Sequence, residues 1–332
     1  MTDAPPALRF ISEADTQRLL TWPAVIACLA RAYGARHESQ SFPPRAVARG
    51  NRVWLRALAA APADSRHMGA KLIARSRGLG VSYLLPLWEQ DTGDLVALID
   101  AKHITALRTA GTSAVAVDRL APRRPLTVAV LGSGGEARAH VEALAAVRSI
   151  AELRIFSPTA ANRERFAQWC AAALGLRATA AASPATAVAA ADLVVAAARS
   201  HDETPILQGE WLQPGATVVS IGSTLPEQRE VDPETVRRST LIVADVPGEV
   251  SDETGDMIAA RESGVALDDK LVALADLVQG RCAGRTGEAD VVMFKSVGSA
   301  LQDLAVAELC LELALEQGAG TPLPVGLTVK NR

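Results

Sequence analysis

The sequence predicts an α/β fold in which a doubly wound parallel sheet is inserted into a discontinuous α+β domain. Apolar, strand-like runs alternate with helical patterns between about residues 126 and 244, and such alternation is typical of βαβ units. A glycine-rich turn directly follows the first of these runs. The final amphipathic helix, at about residues 297–317, does not continue the alternation, so we expect it to pack back against the first segment.

The composition excludes several classes of protein. The 332 residues, at about 150 per domain, indicate roughly two domains. A net charge of −3 offers no basic surface for a nucleic acid, and no apolar run reaches the roughly 18 residues of a membrane span. The four cysteines form no C-x-x-C pair and the five histidines no H-E-x-x-H motif, so we expect no metal. Reduced thiols and the absence of an export signal at the N-terminus lead us to expect a cytoplasmic protein.

Local patterns divide the chain into segments. Ser12 and Asp15 fit a capping box, and Thr21 begins a helix that Gly34 ends. The breaker cluster at residues 122–125 marks a boundary. We therefore expect one domain from residues 1–122 plus 297–332 and a second from residues 123–296. The patterns predict strands at 52–59, 83–88, 126–131, 152–156, 192–196, 218–221 and 241–244, a hairpin turn at 91–94, and helices at 102–120, 135–147 and 160–174.

The glycine-rich turn has the pattern of a dinucleotide-binding loop. Residues 132–137 read Gly-Ser-Gly-Gly-Glu-Ala, which fits G-x-G-x-x-[GA] between a predicted strand and a predicted helix. Gly132 permits the tight turn, Gly134 lets the backbone approach a pyrophosphate, and Ala137 keeps the helix close to the strand. The helix N-terminus adds free N–H groups for phosphate. The second domain is therefore predicted to be a Rossmann domain that binds NAD(P).

The cofactor preference depends on the end of the second strand of this domain. NAD-dependent enzymes usually carry an acid there for the ribose 2′-hydroxyl, but this strand is followed by Ser157 and Thr159, without a carboxylate. Arg163 and Arg165 lie just beyond. Hydroxyls and nearby arginines accommodate a 2′-phosphate, so we expect NADP(H), with NAD(H) as the second choice. The alternative is that both arginines lie on the solvated face of the following helix.

Three cations stand out in the terminal segments: Arg45, Lys71 and Arg108. Lys71 and Arg108 lie in largely apolar stretches, where an unpaired charge would cost several kcal/mol. Such charges usually have an anionic partner, either a protein group or a ligand. Because no run of acids lies nearby in the sequence, no protein partner is obvious.

At these residues the chain resembles the ornithine cyclodeaminase/mu-crystallin family. The matching motifs occur in the family's order: Gly-Ala-Lys at 69–71, Asp-Thr-Gly at 91–93, Leu-Arg-Thr-Ala at 107–110, the glycine-rich loop, Pro-Glu-Gln-Arg-Glu at 226–230 and Phe-Lys-Ser-Val-Gly at 294–298. The resemblance covers nearly the whole chain. It implies a homodimer whose discontinuous domain binds substrate and mediates dimerisation. The family includes cyclodeaminases, alanine dehydrogenases, imino-acid or ketimine reductases and a crystallin.

The resemblance also implies roles for individual residues. Arg45, Lys71 and Arg108 should hold the substrate carboxylate, which a guanidinium can bind through both oxygens, and Lys71 should also move a proton. Segments 197–200 and 221–224 should line the nicotinamide side. The candidate catalytic residues are Arg45, Lys71, Arg108 and Thr224, and those for substrate binding are Arg45, Lys71, Arg108 and Val297. The candidate cofactor-binding residues are Thr109, Gly132, Ser133, Gly134, Gly135, Glu136, Ala137, Ser157, Thr159, Arg163, Ala198, Gly222 and Ser296.

One position departs from the family. Ornithine cyclodeaminases carry an aspartate as general base in the loop after the fifth strand, where this chain has Thr224. A hydroxyl is a poor base near neutral pH, and Gln228 stands where those enzymes have a lysine. The alternative is that another acid of this loop, Glu227 or Glu230, takes over.

The sequence therefore predicts an NAD(P)H-dependent reductase of a small α-imino (ketimine) or α-keto acid, such as the cyclic imino acid pyrroline-2-carboxylate. One alternative is an ornithine cyclodeaminase, which forms L-proline and ammonia from L-ornithine with bound NAD. A second is a crystallin-like protein that binds NADPH without turnover. For any of them we expect a homodimer with a small-molecule ligand and neither a nucleic-acid nor a membrane partner.

Overall fold

Two units make up the chain, in which the computed structural model describes residues 8–78, 80–324 and 327. One unit consists of the residues up to Arg108 together with those from Ser299 onward, and the other is Thr109–Gly298. The second unit therefore interrupts the first in the sequence. The first division falls within the helix Lys102–Leu120, whereas the sequence analysis places the domain boundary after residue 122.

The first unit contains a mixed seven-stranded sheet with the strand order β15-β1-β6-β5-β4-β3-β2. Strands β2 to β6 form an antiparallel meander, and β1 pairs with both β6 and β15. The last of these pairings joins the two ends of the chain in one sheet. The elements are β1 (Arg9–Ile11), α1 (Glu13–Leu19), α2 (Trp22–Gly34), β2 (Ala46–Gly50), β3 (Val53–Ala60), β4 (His67–Arg75), β5 (Val81–Glu89), β6 (Leu95–Asp100), α3 (Lys102–Leu120), α11 (Ala300–Glu316) and β15 (Thr321–Pro322).

Local sequence signals explain where the first helices begin and end. The Ser12 hydroxyl accepts a hydrogen bond from the Asp15 N–H, and the Asp15 carboxylate accepts one from the Ser12 N–H, so the predicted capping box is confirmed. Helix α2 begins after Thr21 and ends at Gly34, as predicted. The turn between β5 and β6 contains Gly93 at φ +75°, a conformation that glycine adopts without strain.

The second unit contains a parallel eight-stranded sheet with the order β13-β12-β14-β11-β10-β7-β8-β9. Strands β10, β11 and β14 are buried along their whole length, as expected for apolar strands covered on both faces. The elements are β7 (Leu126–Leu131), α4 (Gly135–Val147), β8 (Ile150–Phe156), α5 (Ala160–Leu174), β9 (Ala178–Ala180), α6 (Pro184–Val188), β10 (Leu193–Ala196), β11 (Thr217–Ser220), α7 (Pro233–Arg238), β12 (Ser239–Ala244), α8 (Pro247–Glu253), α9 (Gly255–Glu262), β13 (Leu271–Ala273), α10 (Leu274–Val278) and β14 (Val291–Lys295).

The strand order of this sheet reverses at β7. The chain runs outward from β7 through β8 to β9, and then resumes with β10 on the other side of β7. In doubly wound sheets, such a reversal leaves a crevice at the carboxyl ends of the strands, where dinucleotides bind. The glycine-rich turn directly follows β7, so the fold places it at this crevice. The predicted α/β class with a Rossmann-type sheet is confirmed.

The sequence analysis misses the central strand β14. The patterns predict no strand at 291–295, but these residues lie between β11 and β12, and the last helix begins at Ala300 rather than at about residue 297. A five-residue apolar run gives no periodicity that separates a strand from the start of a helix. Among the described helices, none combines the length and the apolar composition that crossing a membrane requires.

Candidate active site

Two of the predicted cations, Lys71 and Arg108, meet at one buried carboxylate in the first unit. Alternate residues of β4 face helix α11, and Lys71 is one of them, with only 1% of its surface exposed. Its Nζ donates to Asp303 Oδ1 of α11 at 2.7 Å, and Arg108 Nε of α3 lies 3.0 Å from the same oxygen. Helix α11 thus supplies the partner that joins the two cations.

Asp303 corrects the expectation that these cations lack an obvious protein partner. It lies more than 190 residues beyond Arg108, so no local pattern reveals the pairing. The three groups still carry one positive charge in excess. Asp303 Oδ2 is buried without a hydrogen-bond partner among the described residues. Because isolated buried charge is costly, the excess positive charge favours a monoanionic ligand such as a carboxylate.

Two further side chains hold Arg108 in place. Its Nη1 donates to Gln302 Oε1 at 2.8 Å, and Gln302 Nε2 donates to the Tyr33 hydroxyl at 2.8 Å. All three side chains are buried. The guanidinium is therefore fixed by α11 and, through Tyr33, by α2. No sequence pattern indicates Gln302 or Tyr33, since an amide on an amphipathic helix and a tyrosine on an apolar face resemble ordinary packing residues.

Burial changes the acidity of Lys71. Loss of solvent, reinforced by the charge of Arg108, lowers the pKa of Lys71 to about 8, although Asp303 acts in the opposite direction. The ammonium group therefore still predominates at neutral pH but releases its proton more readily than a surface lysine does. A proton donor is most effective when its pKa lies near the working pH.

Arg56 is a further cation that the sequence analysis misses. The β3–β4 register places Leu58 opposite Lys71, and Arg56 lies two residues along the same face of the sheet. Its charge contributes to lowering the pKa of Lys71. Arg45 immediately precedes β2, two residues before Val47, which is the ladder partner of Arg56. The pairing of β3 with β4 thus brings Arg56 near Lys71. This proximity cannot be read from the sequence, because the sequence does not show which strands pair.

In the second unit, the glycine-rich turn has the geometry that a phosphate requires. Gly132 has φ +135°, and a Cβ there would lie 2.8 Å from the Ala197 carbonyl oxygen, so only glycine fits. Gly134 caps α4, and a Cβ on it would meet nothing within 4 Å. Ala137 is fully buried under the turn. The open space before the N-terminus of α4 fits a pyrophosphate.

An adjacent pocket of about 450 Å³ extends from this turn to helix α5. Ser133 donates to the Ser157 hydroxyl at 3.0 Å, which joins the ends of β7 and β8. Arg163, however, donates to the carbonyl oxygen of Ser157 at 2.8 Å and is not among the residues that line the pocket. The lining residues are Ser133, Gly134, Gly135, Arg138, Asn162, Arg165, Phe166 and Trp169.

The pocket combines aromatic rings with guanidinium groups. The Trp169 and Phe166 rings stack at 5.8 Å, and the Arg138 guanidinium lies 3.8 Å from the centre of the Trp169 ring. Arg165 donates to Asn162 Oδ1 at 2.5 Å. Aromatic rings can stack on a base, and guanidinium groups can bind phosphate, so the pocket suits part of a dinucleotide. Of the two arginines that the sequence suggests for a 2′-phosphate, Arg165 lines this pocket and Arg163 does not, while Arg138 and Trp169 are additional lining residues that the sequence pattern did not indicate.

Three of the remaining predicted cofactor residues, Ala198, Gly222 and Ser296, lie just after the carboxyl ends of β10, β11 and β14. A Cβ on Gly222 would lie 3.3 Å from the Ala198 carbonyl oxygen, so the turns after β10 and β11 are in contact. After β14, the Ser296 hydroxyl donates to Asp245 at 2.6 Å, and the Val297 side chain packs in the core of the unit. Thr109 is buried in α3, Glu136 lies in the first turn of α4, and Thr159 precedes α5.

The loop after β11 holds Thr224 against Gln228. Thr224 donates to Gln228 Oε1 through both its N–H, at 2.9 Å, and its hydroxyl, at 3.2 Å. Glu227 is exposed, whereas Glu230 is buried and accepts from the Gly222 N–H at 2.9 Å. The two side chains at which this chain departs from the cyclodeaminases therefore pair with each other. The described residues contain no group of three side chains that could hold a metal ion.

A doubly wound sheet with this turn at its reversal point defines a dinucleotide-binding α/β protein. The model of the ornithine cyclodeaminase/mu-crystallin family matches residues 43–318, and the chain belongs to this family. The resemblance read from the motifs is thereby confirmed.

Individual relatives agree with this membership. The chain is 30% identical to a Delta(1)-pyrroline-2-carboxylate reductase of Bacillus cereus over 73% of its length and 74% of the relative. It is 32% identical to the ketimine reductase mu-crystallin of Mus musculus over 67% of its length and 66% of the relative. Delta(1)-pyrroline-2-carboxylate reductase from Thermococcus litoralis, solved with NADH and L-proline, is similar in structure, with a TM-score of 0.87 and 28% identity over 95% of this chain and 100% of that one.

Two glycine substitutions should separate folding from cofactor binding. Gly132→Ala should lower the Tm, because the methyl group meets a carbonyl oxygen in a conformation that alanine disfavours. Gly134→Ala should leave the Tm unchanged but weaken NADPH binding by at least about tenfold, since its methyl group occupies the space of the phosphate. Thermal unfolding and nucleotide fluorescence measure both effects. Wild-type affinity in Gly134→Ala would place the phosphates elsewhere.

Proposed function

We propose that this protein is an NAD(P)H-dependent reductase of a small α-imino acid, with a cyclic ketimine such as pyrroline-2-carboxylate as substrate, or of the corresponding α-keto acid. The observation that carries the proposal is the buried cluster of Lys71, Arg108 and Asp303, which keeps one positive charge in excess. The reductases among the relatives, and the neighbour solved with NADH and L-proline, support the same reaction class.

Arg108 and Lys71 bind and orient the substrate carboxylate. Arg108 is held by Gln302 and Asp303, so its guanidinium is ordered before the ligand arrives. A planar guanidinium binds a carboxylate through two parallel hydrogen bonds, which fixes the plane of the acid. Arg45 joins this set by the family resemblance. Fixing the acid at one end also fixes the direction of the adjacent C=N bond, and orientation of this kind supplies much of the rate enhancement.

Lys71 is the proton donor. When the C=N carbon gains a hydride, the nitrogen gains an electron pair and needs a proton to become an amine. When it is bound, the reduced nicotinamide supplies the hydride. The Lys71 ammonium group supplies the proton directly or through water, and its pKa of about 8 makes this transfer easier than from an ordinary lysine.

The loop after β11 favours reduction of an imine over cyclisation of a diamine. A cyclodeaminase needs a carboxylate there to engage the substrate amine and act as a base. Here Thr224 is hydrogen-bonded to Gln228, and neither side chain is ionisable in the neutral range.

NADPH oxidation with several acceptors tests the reaction. Pyrroline-2-carboxylate and piperideine-2-carboxylate should be reduced, whereas L-ornithine should release no ammonia. Because the Lys71 ammonium is the active form, kcat/KM should fall as the pH rises above about 8. Lys71→Ala should lower kcat by about 100-fold or more, the usual contribution of a general acid.

Lys71→Arg provides the matched control, because it keeps a cation beside Asp303 but cannot release a proton near neutral pH. The Lys71→Arg protein should still bind substrate, but its remaining kcat/KM should no longer fall as the pH rises above about 8. Near-normal kcat/KM in Lys71→Ala would remove Lys71 from the mechanism. Ammonia release from L-ornithine without net NADH would instead indicate a cyclodeaminase, and tight NADPH binding without oxidation of any acceptor would indicate a binding protein.

We also propose that NADPH is the preferred cofactor, with NADH as a weaker one. Arg138 and Arg165 line the pocket beside the glycine-rich turn, where a ribose 2′-phosphate would find two guanidinium groups. An arginine side chain can bind a phosphate through its charge and through two parallel hydrogen bonds. The end of β8 carries Ser157 rather than an acid, so no carboxylate at that position repels the phosphate.

Arg165→Ala should raise the KM for NADPH by about tenfold or more and leave the KM for NADH nearly unchanged, since a hydrogen bond to a charged group contributes about 1.5–3 kcal/mol. Steady-state kinetics with each nucleotide measure the ratio. Arg177→Ala, at an exposed arginine of the same unit outside the pocket, is the control. An equal change for both nucleotides would refute a role in selecting the 2′-phosphate.

We further propose that the protein is a homodimer that associates through the outer face of the first sheet. The residues of this face alternate with those that face α11 and include Leu55 and Leu84, which are 47% and 37% exposed. The β4–β5 register places Leu72 directly opposite Leu84. A continuous apolar sheet face of this kind is typical of an interface between identical subunits.

A charge on this face should prevent dimer formation. Leu55→Glu should convert the dimer into a monomer because the carboxylate would be buried without a partner. Light scattering gives the mass. The control is Leu315→Glu, at a leucine of α11 that is equally exposed but lies outside the face. A dimeric Leu55→Glu protein would place the interface elsewhere.

A further inference from the structure

The second unit contains a buried ionic cluster that the proposed reaction does not use. Lys295, at the end of β14, donates from Nζ to Asp256 Oδ2 and to the Ser220 hydroxyl, each at 2.8 Å. Ser220 in turn donates to Glu230 Oε2 at 2.5 Å. All four side chains are fully buried. Ser220, Glu230, Asp256 and Lys295 therefore form one hydrogen-bonded group, called here the Glu230 cluster.

The cluster holds both ends of the loop that follows β11. At the start of the loop, the Gly222 N–H donates to Glu230 Oε2 at 2.9 Å. At its end, the N–H groups of Glu230 and Val231 donate to Asp256 Oδ1 at 2.7 and 3.1 Å. The loop is therefore closed at its base by two carboxylates, and Lys295 bonds directly to Asp256 and to the serine between it and Glu230.

Glu230 also accounts for the glycine at position 222. A Cβ on Gly222 would clash with Glu230 Oε1 and lie only 3.0 Å from its Cδ. Residue 222 has no special backbone conformation that would demand glycine. The carboxyl group therefore packs directly against the backbone of the turn. This turn is in contact with the one after β10, at the strand ends where doubly wound sheets bind dinucleotides.

The four residues of the Glu230 cluster alone carry one negative charge in excess when both carboxylates are ionised. Asp256 and Glu230 share Lys295 within the cluster, and the only partial compensation among the described residues outside it is Arg229, a half-buried cation 3.9 Å from Asp256. Burial, reinforced by the charge of Asp256, raises the pKa of Glu230 to about 7, although Lys295 acts in the opposite direction. Glu230 Oε1 is buried without a hydrogen-bond partner among the described residues. This oxygen is therefore the one free to carry a proton.

We propose that Glu230 is a positioning residue for the cofactor loop, residues 221–224: it fixes the Gly222 backbone, and its charge sets the affinity for the dinucleotide. The inference rests on the proposed function, because it assumes that the second unit holds the nicotinamide cofactor. With Glu230 protonated, the Lys295 charge is balanced by Asp256. With Glu230 ionised, a negative charge lies directly behind the loop and repels the anionic dinucleotide.

The dissociation constants of NADH and NADPH between about pH 5.5 and 8.5, measured without substrate, test this proposal. Wild-type affinity should fall by about tenfold as the pH rises through 7, the effect of one charge at roughly 10 Å in a partly buried setting. NADH is included because it lacks the 2′-phosphate of NADPH, whose own titration would also change the affinity in this pH range. Glu230→Gln should bind at every pH as tightly as the wild type does at low pH, because its amide oxygen still accepts both hydrogen bonds. Glu227→Gln, at an exposed acid of the same loop, should keep the wild-type pH dependence.

Glu230→Ala separates positioning from charge. It removes the acceptor, so it should weaken binding about tenfold at all pH values, and Glu230→Gln should restore the affinity. A pH dependence that persists in Glu230→Gln would overturn the proposal, whether or not Glu230→Ala folds. A wild type that binds neither nucleotide would overturn both this proposal and the proposed function. A wild type that binds with the expected pH dependence but reduces no imino acid would refute the reaction and leave the role of Glu230 standing.

Discussion

The pairing of Asp303 with Lys71 and Arg108 is the interaction on which the first unit depends. Each of these groups is buried, and removing one partner of a buried ion pair typically costs about 3–5 kcal/mol because the other charge is left uncompensated. The two cations precede the inserted unit in the sequence and the carboxylate follows it. The cluster can therefore form only when the two separated segments fold as one domain. The same pairing that stabilises the domain also leaves the positive charge that favours an acid as ligand.

The fold was largely predictable from the sequence because its elements are encoded locally. The strand Leu126–Leu131 and the helices at 102–120 and 160–174 have the predicted bounds, since continuous apolar runs and helical periodicity are properties of adjacent residues. Strand β14 was not predictable, because a run of five apolar residues is too short to show the periodicity of a strand. The partners of the cations were not predictable either. Asp303 and Gln302 become neighbours of Arg108 only through the packing of α11, which no spacing within the sequence reveals.

The two arginines of α5 differ in helical phase, and this difference is readable from the sequence. Asn162, Arg165, Phe166 and Trp169 follow the i, i+3, i+4, i+7 spacing of a single helix face, and this face lines the pocket beside the glycine-rich turn. Arg163 lies off that face and bonds to the backbone of the preceding loop. Helical phase alone therefore separates the arginine that lines the pocket from the one that bonds to the preceding loop. The contribution of Arg138 from α4, in contrast, needs the structure.

The two buried ionic clusters obey one rule with opposite results. In the first unit, two cations share one carboxylate, and this arrangement favours an anion as ligand. In the second, two carboxylates share a lysine, and burial raises the pKa of Glu230 to about 7, so a proton on this carboxyl group offsets the excess negative charge. An unpaired charge in the protein interior is unfavourable. A buried ionisable group therefore either changes its protonation state or binds a counter-ion. The sign of each imbalance thus decides whether a cluster favours an anionic ligand or a proton, and this difference is the reason for proposing the first as a substrate site and the second as a support for a loop.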